Sequence, residues 1–503
     1  MIFSALASAV LMAAAECQTG FGWLALAGLA PLCLVLQGGA FLSDWAALAL
    51  FNGLFTALTA QWIRLTGDGF GWFLLAAIGY EMLLAALPAA CLWLAGRRGR
   101  GKRALLFLPV FWTLLELLSR RALFGISWAL AGLPLADYPL AAQIAAIGGP
   151  EALSFLVVAV NVALALSLRQ ERILRRWALA QGLGLTAAAL VLGLIHGGSG
   201  PETPTAKIAV VQPMISQQTR WDIPANRPLL LARMTRLIDR AAAEGPRLIV
   251  LPEGALPGLV HRERDLAEFA TGAVERTRRP LLFGSVDSDD SGNFYNAAIR
   301  IGTDGAVDEY RKRRLVPFAE HTPWPFHYRP PWVQFTAGDA ATLMPLGVVS
   351  SFAVAMCLED TDPALSRRAV ANGATLLIAL VNTENFKGTS QAMVQLRRAR
   401  LTAIADGIPM LRAANSGISC SLDEHGRLLG ALPANREAAA VLPVTTLTAA
   451  TVYAAVGDAG VLAMLGLWIA LAALALEIGV PQAALPARKP HHGPRRRTVP
   501  GVL

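Results

Sequence analysis

The stretch FAVAMCLE, residues 352–359, joins a strand pattern to two chemically reactive side chains. Its first five residues, 352–356, are apolar and have the length and composition of a strand in the interior of a sheet. Cys357 and Glu359 follow directly, where the strand ends. Functional groups gather at strand ends because the sheet holds them rigidly while the loops stay free to vary. The stretch therefore predicts an α/β domain with a thiol at one edge of a sheet.

The sequence on both sides of this stretch alternates between strand and helix patterns. Predicted strands lie at 207–212, 248–251, 280–285, 295–301, 376–381 and 409–414, and predicted helices at 228–244 and 391–405. Alternation of this kind is typical of an α/β domain. We therefore predict such a domain over residues 199–454, long enough to bury its own core.

Two more strand patterns in this domain end in ionisable residues. Glu253 follows the apolar run LIVLP, and Lys312 follows a short strand that ends at Tyr310. A carboxylate can take the proton of a thiol, and an ammonium can stabilise the charge that develops on an attacked carbonyl oxygen. The ammonium is also expected to lower the pKa of the thiol. The three groups together suit acyl transfer.

Taken singly, each of these residues has an ordinary structural interpretation. Cys357 could be a buried small hydrophobe, Glu253 a helix cap, and Lys312 part of a solvated basic run. Their shared position at strand ends favours catalysis over these interpretations.

The rest of the chain is too apolar for a soluble protein. Hydrophobic residues make up 54% of the sequence and charged residues 16%, whereas soluble domains average about 25% charged residues. Crossing a bilayer takes about 20 apolar helical residues. Candidate spans lie at 2–16, 21–37, 42–63, 71–96, 104–123, 150–168, 176–196 and 457–478. We predict a bundle of about seven membrane helices over residues 1–198, and a last membrane helix with a basic tail over residues 455–503.

The basic residues give this arrangement an orientation. The net charge is +9, and basic clusters lie at 97–103, 169–176 and 488–497, beside apolar segments. Cytoplasmic loops carry an excess of lysine and arginine, so these clusters place residues 199–454 on the outer side. No basic and aromatic reading surface accompanies them, so we predict no nucleic-acid partner.

Other polar residues and cysteines suggest no metal site. The five cysteines, at 17, 33, 91, 357 and 420, form no C-x-x-C pair, so neither zinc nor a redox dithiol is predicted. Glu81 and Glu116 fall within predicted spans, where acidic groups are costly unless they are paired. We expect Glu116 to pair with Arg120, one helical turn away.

The motifs that carry Glu253, Lys312 and Cys357 resemble those of a known superfamily. Leu251-Pro252-Glu253, Tyr310-Arg311-Lys312 and Met356-Cys357-Leu358-Glu359 resemble the motifs of the nitrilase superfamily. Residues 310–323, YRKRRLVPFAEHTP, resemble the K-x-x-L-V-P-F-G-E-x-x-P stretch of the bacterial apolipoprotein N-acyltransferases. Further similar segments are 294–297, 336–339 and 412–417. With the flanking apolar helices, the resemblance covers nearly the whole chain.

This resemblance implies an αββα nitrilase-like domain on a polytopic helical bundle in a bacterial inner membrane, with the domain in the periplasm. The implied reaction moves a fatty acyl chain from a phospholipid, through a cysteine thioester, to the N-terminal amine of an S-diacylglyceryl-cysteine lipoprotein. Cys357 would be the nucleophile, Glu253 the general base and acid, and Lys312 the oxyanion partner. Glu320 and Glu359 would support them, and Trp221 would lie near the entrance. The resemblance implies a monomer without metal or cofactor.

The sequence departs from the family pattern at three places. Leu358 stands where the family has tyrosine, and Ala319 where it has glycine. Residues 382–388, NTENFKG, replace the family's N-D-A-W-F-G loop, without the tryptophan and with one more residue. We predict that Leu358, Asn385 and Phe386 border the substrate pocket.

These departures leave two alternatives open. One is a membrane-tethered amidase or an acyltransferase with another acceptor. The other is a non-catalytic paralogue that binds lipid or lipoprotein.

The orientation inferred from charge can be tested with reporter fusions. A fusion at Asp308 should report the periplasm and one at Pro490 the cytoplasm, because an odd number of membrane crossings should separate them. Compartment-specific alkaline phosphatase and fluorescent protein reporters measure this. If both positions report the same side, the predicted number of spans between them is wrong.

Overall fold

The computed structural model describes most of the chain. The described residues are 1–65, 71–97, 101–121, 130–168, 172–197, 205–216, 223–323, 334–347, 350–447 and 449–478. Trp221 and the basic tail at 488–497 lie outside these ranges.

The first part of the chain is helical. Its helices are α1 (Ile2–Cys17), α2 (Ala25–Gly28), α3 (Ala30–Val35), α4 (Phe41–Thr59), α5 (Gly71–Leu84), α6 (Ala86–Gly96), α7 (Leu108–Arg121), α8 (Pro139–Ala142), α9 (Ala145–Gly148), α10 (Glu151–Ser167) and α11 (Arg172–Gly197). Short 3-10 turns lie at Gly22–Leu24, Gln61–Leu65, Gly101–Phe107 and Leu133–Asp137.

Several of these helices have the length and hydropathy of membrane spans. Three such helices occur among the described residues, at Phe41–Thr59, Gly71–Gly96 and Arg175–Gly197. A fourth span results if Pro139–Gly148 and Glu151–Ser167, which meet at 117°, are counted together. Ile2–Cys17, Gly22–Val35 and Asp458–Leu474 are apolar but shorter. All eight predicted apolar segments contain helix, while the number that cross the membrane stays a prediction.

The interrupted helices α2 and α3 are held by polar side chains within an apolar bundle. Backbone groups freed by a helix break need internal partners where water is excluded. Asn161 of α10 accepts from Leu29 N at 2.8 Å and donates to Ala25 O at 2.8 Å. Ser8 of α1 accepts from Leu32 N at 2.9 Å. These contacts explain why a broken helix is tolerated here.

The second part of the chain contains two β-sheets. The strands are β1 (Ala206–Gln212), β2 (Ile249–Val250), β3 (Leu256–Leu259), β4 (Leu281–Ser288), β5 (Phe294–Ile301), β6 (Val307–Arg311), β7 (Leu343–Pro345), β8 (Ser351–Met356), β9 (Leu376–Val381), β10 (Met410–Ala414), β11 (Cys420–Leu422), β12 (Leu428–Ala431) and β13 (Ala438–Val444). The helices are α12 (Ile223–Ala242), α13 (Arg264–Thr277), α14 (Pro363–Ala371) and α15 (Gln391–Asp406), followed by α16 (Val452–Val456) and α17 (Asp458–Ile478). Two 3-10 turns lie at Cys357–Thr361 and Glu384–Phe386.

The two sheets pack face to face with helices outside, which confirms the predicted αββα class. The first sheet has the order β13-β1-β2-β4-β5-β6, with β3 beside β4, and the second has the order β12-β11-β10-β9-β8-β7. Large apolar side chains of both sheets, such as Val210 and Phe352, form the core between them. On β8 the alternate positions Ala353 and Ala355 face outward and leave room for helices. On β8, strand alternation therefore places large residues inside and small ones under the helices.

Helix α15 packs on two sides at once. Leu396, Ala399 and Ala403 join the core outside the second sheet, whereas Leu401 and Ile404 join the core of the membrane bundle. Arg397 has no exposed surface. Its Nε donates to Asp137 Oδ2 at 2.9 Å, and its Nη1 donates to the carbonyl of Glu16 at the end of α1. The sandwich is thereby seated on the helical bundle.

The ion pair expected between Glu116 and Arg120 is wrong. Glu116 Oε1 accepts from Trp112 Nε1 at 3.0 Å and from Ala131 N at 2.9 Å. Arg120 instead pairs with Glu151 and Asp458. Helical spacing places Glu116 and Arg120 on the same side of one helix. Charged residues of neighbouring helices also compete as partners of a buried charge, and here they form the ion pairs.

Candidate active site

Glu253, Lys312 and Glu320 form a buried charge cluster at the end of the first sheet. Glu253 follows β2, and Lys312 follows β6. Lys312 Nζ lies 3.3 Å from Glu253 Oε1 and 2.9 Å from Glu320 Oε1. The lysine side chain has no exposed surface, and the two glutamate side chains are 12% and 11% exposed. The structure thus brings together three of the residues that the sequence analysis named.

The protonation of Lys312 follows from these neighbours. Burial alone lowers the pKa of an amine, because it penalises the charged form. Here the negative charges of Glu320 and Glu253 outweigh burial and raise the pKa of Lys312 well above its ordinary value. The amine is therefore a fixed ammonium at neutral pH.

Asn296 completes this cluster and was not assigned a role from the sequence. It lies on β5, between β4 and β6. Its Nδ2 donates to Glu253 Oε1 at 2.8 Å and to Glu320 Oε1 at 2.7 Å, and its carbonyl accepts from Lys312 N at 2.8 Å. The side-chain amide of Asn296 therefore holds both carboxylates, and its backbone carbonyl holds the backbone of Lys312. The only signal for it was the segment FYNA at 294–297, which gave no role by itself.

Cys357 opens the 3-10 turn that follows β8. Its φ is +50°, a backbone conformation that residues with a side chain rarely adopt. Gln395 of α15 donates through Nε2 to the Cys357 carbonyl at 3.2 Å and to Asp360 Oδ1 at 3.1 Å. Asp360 also forms a fully buried ion pair with Arg412, with Arg412 Nε at 2.8 Å. The strained turn is held by these contacts to α15 and β10.

The pKa of the Cys357 thiol differs from the sequence expectation. Burial raises this pKa, the negative charge of Glu253 raises it further, and the ammonium of Lys312 lowers it. The net direction is upward, so the expected lowering by Lys312 is outweighed. The resting side chain is therefore a protonated thiol.

Glu359 connects the turn that starts at Cys357 to the segment around Lys312. It is 1% exposed. Its Oε1 accepts from Arg313 N at 2.8 Å and Arg314 N at 2.9 Å, and its Oε2 accepts from Met356 N at 2.8 Å and Tyr310 Oη at 2.9 Å. All four contacts are to groups beside Lys312 or Cys357. Glu359 therefore positions both segments rather than facing a substrate.

The residues predicted to border the pocket lie at different places. Leu358 faces a cavity between the catalytic domain and the membrane helices. Asn385 is exposed, and the ring of Phe386 meets Trp62 edge-on at a centroid distance of 4.9 Å. Trp221 lies outside the described residues. The loop 382–388 is thus in contact with the 3-10 turn that follows α4.

One further group of side chains has the composition of a metal site. Ligand atoms of His261, Asp287 and Glu309 lie within 4.8 Å of one another. Arg311, however, reaches both carboxylates, with Nη2 at 2.6 Å from Asp287 Oδ2 and Nε at 3.0 Å from Glu309 Oε1. The guanidinium of Arg311 therefore already pairs with both acids of this group.

Sequence profiles of two families match this chain. The profile described as carbon-nitrogen hydrolase matches residues 207–456. The profile described as apolipoprotein N-acyltransferase N-terminal domain matches residues 8–163. The two profiles correspond to the β-sandwich and to most of the preceding helical part.

Curated relatives match over most of their length. An apolipoprotein N-acyltransferase of Brucella melitensis is 30% identical over 424 residues, 77% of this chain and 76% of the relative. For the protein of that name from Shewanella oneidensis, the identity is 29%, and the alignment covers 82% of this chain and 83% of the relative. For the one from Ralstonia nicotianae, the identity is 27%, and the alignment covers 90% of this chain and 89% of the relative.

Solved structures of the nitrilase superfamily align with about half of the chain. An amidase from Nesterenkonia is 17% identical, with a TM-score of 0.36, and covers 49% of this chain and 92% of its own. A nitrilase-superfamily member from Saccharomyces cerevisiae is 19% identical, with a TM-score of 0.37, and the alignment covers 50% of this chain and 93% of that protein.

On the evidence of the two profiles and of the relatives that match over most of their length, the chain belongs to the apolipoprotein N-acyltransferase family.

Proposed function

We propose that the protein is an N-acyltransferase that moves a fatty acyl chain from a membrane phospholipid to the N-terminal amine of a diacylglyceryl apolipoprotein. The family gives the acceptor class, and the phospholipid donor and the thioester route are our inference. The observation that carries the proposal is the fully buried ammonium of Lys312 between Glu253 and Glu320, beside the turn that starts at Cys357. This is the charge arrangement that attack by a cysteine on an acyl group requires.

The site and the membrane helices suit lipid substrates. The sandwich sits on the bundle through α15, so a lipid need not leave the apolar phase completely to reach the site. We propose that the protein acts as a monomer in the bacterial inner membrane, with residues 199–454 in the periplasm. The positions of the basic clusters support this orientation.

In the first half-reaction, Cys357 attacks the phospholipid ester. Because the thiol is protonated at rest, Glu253 takes its proton as the sulfur–carbon bond forms. The ammonium of Lys312 stabilises the negative charge on the carbonyl oxygen. The carbon–oxygen bond then breaks, and Glu253 returns the proton to the leaving lysophospholipid oxygen. The acyl chain remains on Cys357 as a thioester.

In the second half-reaction, the neutral acceptor amine attacks the thioester. Glu253 takes a proton from the attacking nitrogen, and Lys312 again stabilises the carbonyl oxygen. The carbon–sulfur bond breaks, and the proton passes from Glu253 to the sulfur, which restores the Cys357 thiol. The products are an amide and free enzyme, in a ping-pong sequence. Water has to be excluded during this step, since it would hydrolyse the thioester.

The central test is acyl transfer from a labelled phospholipid to a diacylglyceryl-cysteine peptide. The wild-type protein should form a labelled acyl-enzyme and then a labelled amide. Cys357→Ala should lower the rate by several orders of magnitude, because no thioester can form. Cys420→Ala, which changes a buried thiol on β11, is the matched control and should keep activity. An active Cys357→Ala protein, or release of free fatty acid instead of amide, contradicts the proposal.

Asn296→Ala tests the cluster around the lysine. It removes the amide that holds Glu253 and Glu320, so their carboxylates lose alignment with Lys312 and the thiol. We expect acyl-enzyme formation to slow by about 10- to 100-fold, measured in a single turnover. Asn293→Ala, in the turn before β5, loses the side-chain hydrogen bond to Asp289 and should react at the wild-type rate. Equal rates for both variants would show that Asn296 has no such role.

The departures from the family pattern test the second substrate. Compared with the family pattern, Leu358 and Asn385 stand where aromatic residues are expected. Lys387 adds a positive charge to the loop 382–388, which also contains Asn385. We expect thioester formation to be unimpaired but its discharge by an ordinary diacylglyceryl peptide to be slow. The double variant Leu358→Tyr, Asn385→Trp should speed discharge, because apolar surface contributes roughly 25 cal/mol per Å². Fast discharge by wild type, unchanged in the variant, would mean that the departures are neutral.

A further inference from the structure

Two sheets contribute the reacting groups, so their relative position has to be fixed. Lys312 follows β6 of the first sheet, and Cys357 follows β8 of the second. The ammonium and the thiol therefore align only if the loop after β6 is held against the turn after β8. Contacts between these two segments decide the geometry of the site.

Arg314 makes such a contact in the middle of the loop that joins Lys312 to Glu320. Its Nη1 forms an ion pair with Asp362 Oδ2, and Asp362 ends the turn that starts at Cys357. Its backbone N donates to Glu359 Oε1 at 2.9 Å. Its Nη2 donates to the carbonyl of Arg120 at 3.2 Å, near the end of α7. One guanidinium therefore joins the turn that starts at Cys357 and the membrane bundle to the loop between Lys312 and Glu320.

The end of α7 is itself fixed by charges from two other helices. Arg120 Nη1 lies 3.1 Å from Glu151 Oε1 at the start of α10. Arg120 Nη2 lies 2.7 Å from Asp458 Oδ1 at the start of α17, and Tyr453 Oη donates to the same oxygen at 2.9 Å. Glu151 is 1% exposed. The carbonyl that receives Arg314 is thus part of a rigid junction of three helices.

Apolar packing does not close the interface at this point. A small cavity lies between the domain and the bundle, and Arg120, Glu151, Arg314 and Leu358 are among its lining residues. A void forfeits the dispersion contacts that would otherwise lock two surfaces together. The directional polar contacts of Arg314 therefore hold the loop after Lys312 in alignment with the turn that starts at Cys357 and with the end of α7.

We propose that Arg314 is a positioning residue that clamps the Lys312 loop to the Cys357 turn and to the end of α7. Seating of the catalytic domain on the membrane helices then sets the alignment of the ammonium with the nucleophile. Arg314 does not touch the reacting atoms. It acts through the two segments that carry them.

The proposal rests on the proposed acyl transfer, and its test uses the full-length protein in phospholipid nanodiscs. Arg314→Gln should lower the single-turnover rate constant for acyl-enzyme formation by about 10- to 100-fold. The half-saturating phospholipid concentration should change by less than about twofold, because only transition-state alignment is lost. A first-order rate constant does not depend on the fraction of protein that is folded, so lower stability alone cannot produce this result.

Two further variants make the comparison specific. Arg311→Gln, one residue from Lys312 on its other side, loses ion pairs to Asp287 and Glu309 but none to the bundle. Its rate constant should stay within about twofold of wild type, because neither ion pair reaches the turn that starts at Cys357 or the membrane bundle. Arg314→Lys keeps a charge for Asp362 but lacks the planar fork that reaches a second acceptor. It should recover part of the rate.

A second readout separates this proposal from the proposed function. The rate constant for alkylation of Cys357 by iodoacetamide, followed on its peptide by mass spectrometry, needs no lipid substrate. It should fall in Arg314→Gln, since the ammonium that favours the thiolate is misplaced, and stay unchanged in Arg311→Gln. Equal alkylation and acylation rate constants in the two variants overturn the clamp. A wild-type protein that is alkylated but never acylated by phospholipid overturns the proposed function instead.

Discussion

Helix α15 belongs to two hydrophobic cores, and this double burial organises the rest of the molecule. One side closes the second sheet, and the other joins the membrane bundle. Arg397 lies between them without exposed surface, where its guanidinium meets Asp137 and the carbonyl end of α1. Two residues earlier, Gln395 holds the carbonyl of Cys357. The element that seats the domain on the membrane helices therefore also holds the turn that starts at Cys357.

The chemistry of the site follows from a buried cation. An ammonium without exposed surface is stable only if it is paired, and Lys312 has Glu253 and Glu320. The same negative charge acts on Cys357, whose thiol is pushed by burial and by Glu253 away from ionisation. A resting thiolate–ammonium pair is thus disfavoured. The proposed mechanism therefore needs a general base in each turnover, and the carboxylate of Glu253 lies beside the lysine.

The loop that departs most from the family pattern is in contact with the membrane part. Phe386 packs against Trp62, and Phe318, in the loop between Lys312 and Glu320, lies 4.9 Å from the ring of Phe73 at the start of α5. Two aromatic pairs therefore connect membrane segments with loops of the sandwich. Trp62 brings an indole to the loop that lacks its own tryptophan.

The sequence by itself determined the class of fold and the identity of the charged residues, because both depend on local patterns. Strand alternation identified β1, β5, β8, β9 and β10 nearly to the residue, and strand ends pointed to Glu253, Lys312 and Cys357. The short strands β3, β7, β11 and β12 were missed, since their few residues carry too little periodicity, and the seven-residue strand β13 was missed as well. Only the tertiary structure decided what depends on distant parts of the chain. Asn296 holds two glutamates 43 and 24 residues away, and Arg120 pairs with Asp458, 338 residues away, instead of Glu116. The direction of the Cys357 pKa was likewise set by burial, which no local pattern records.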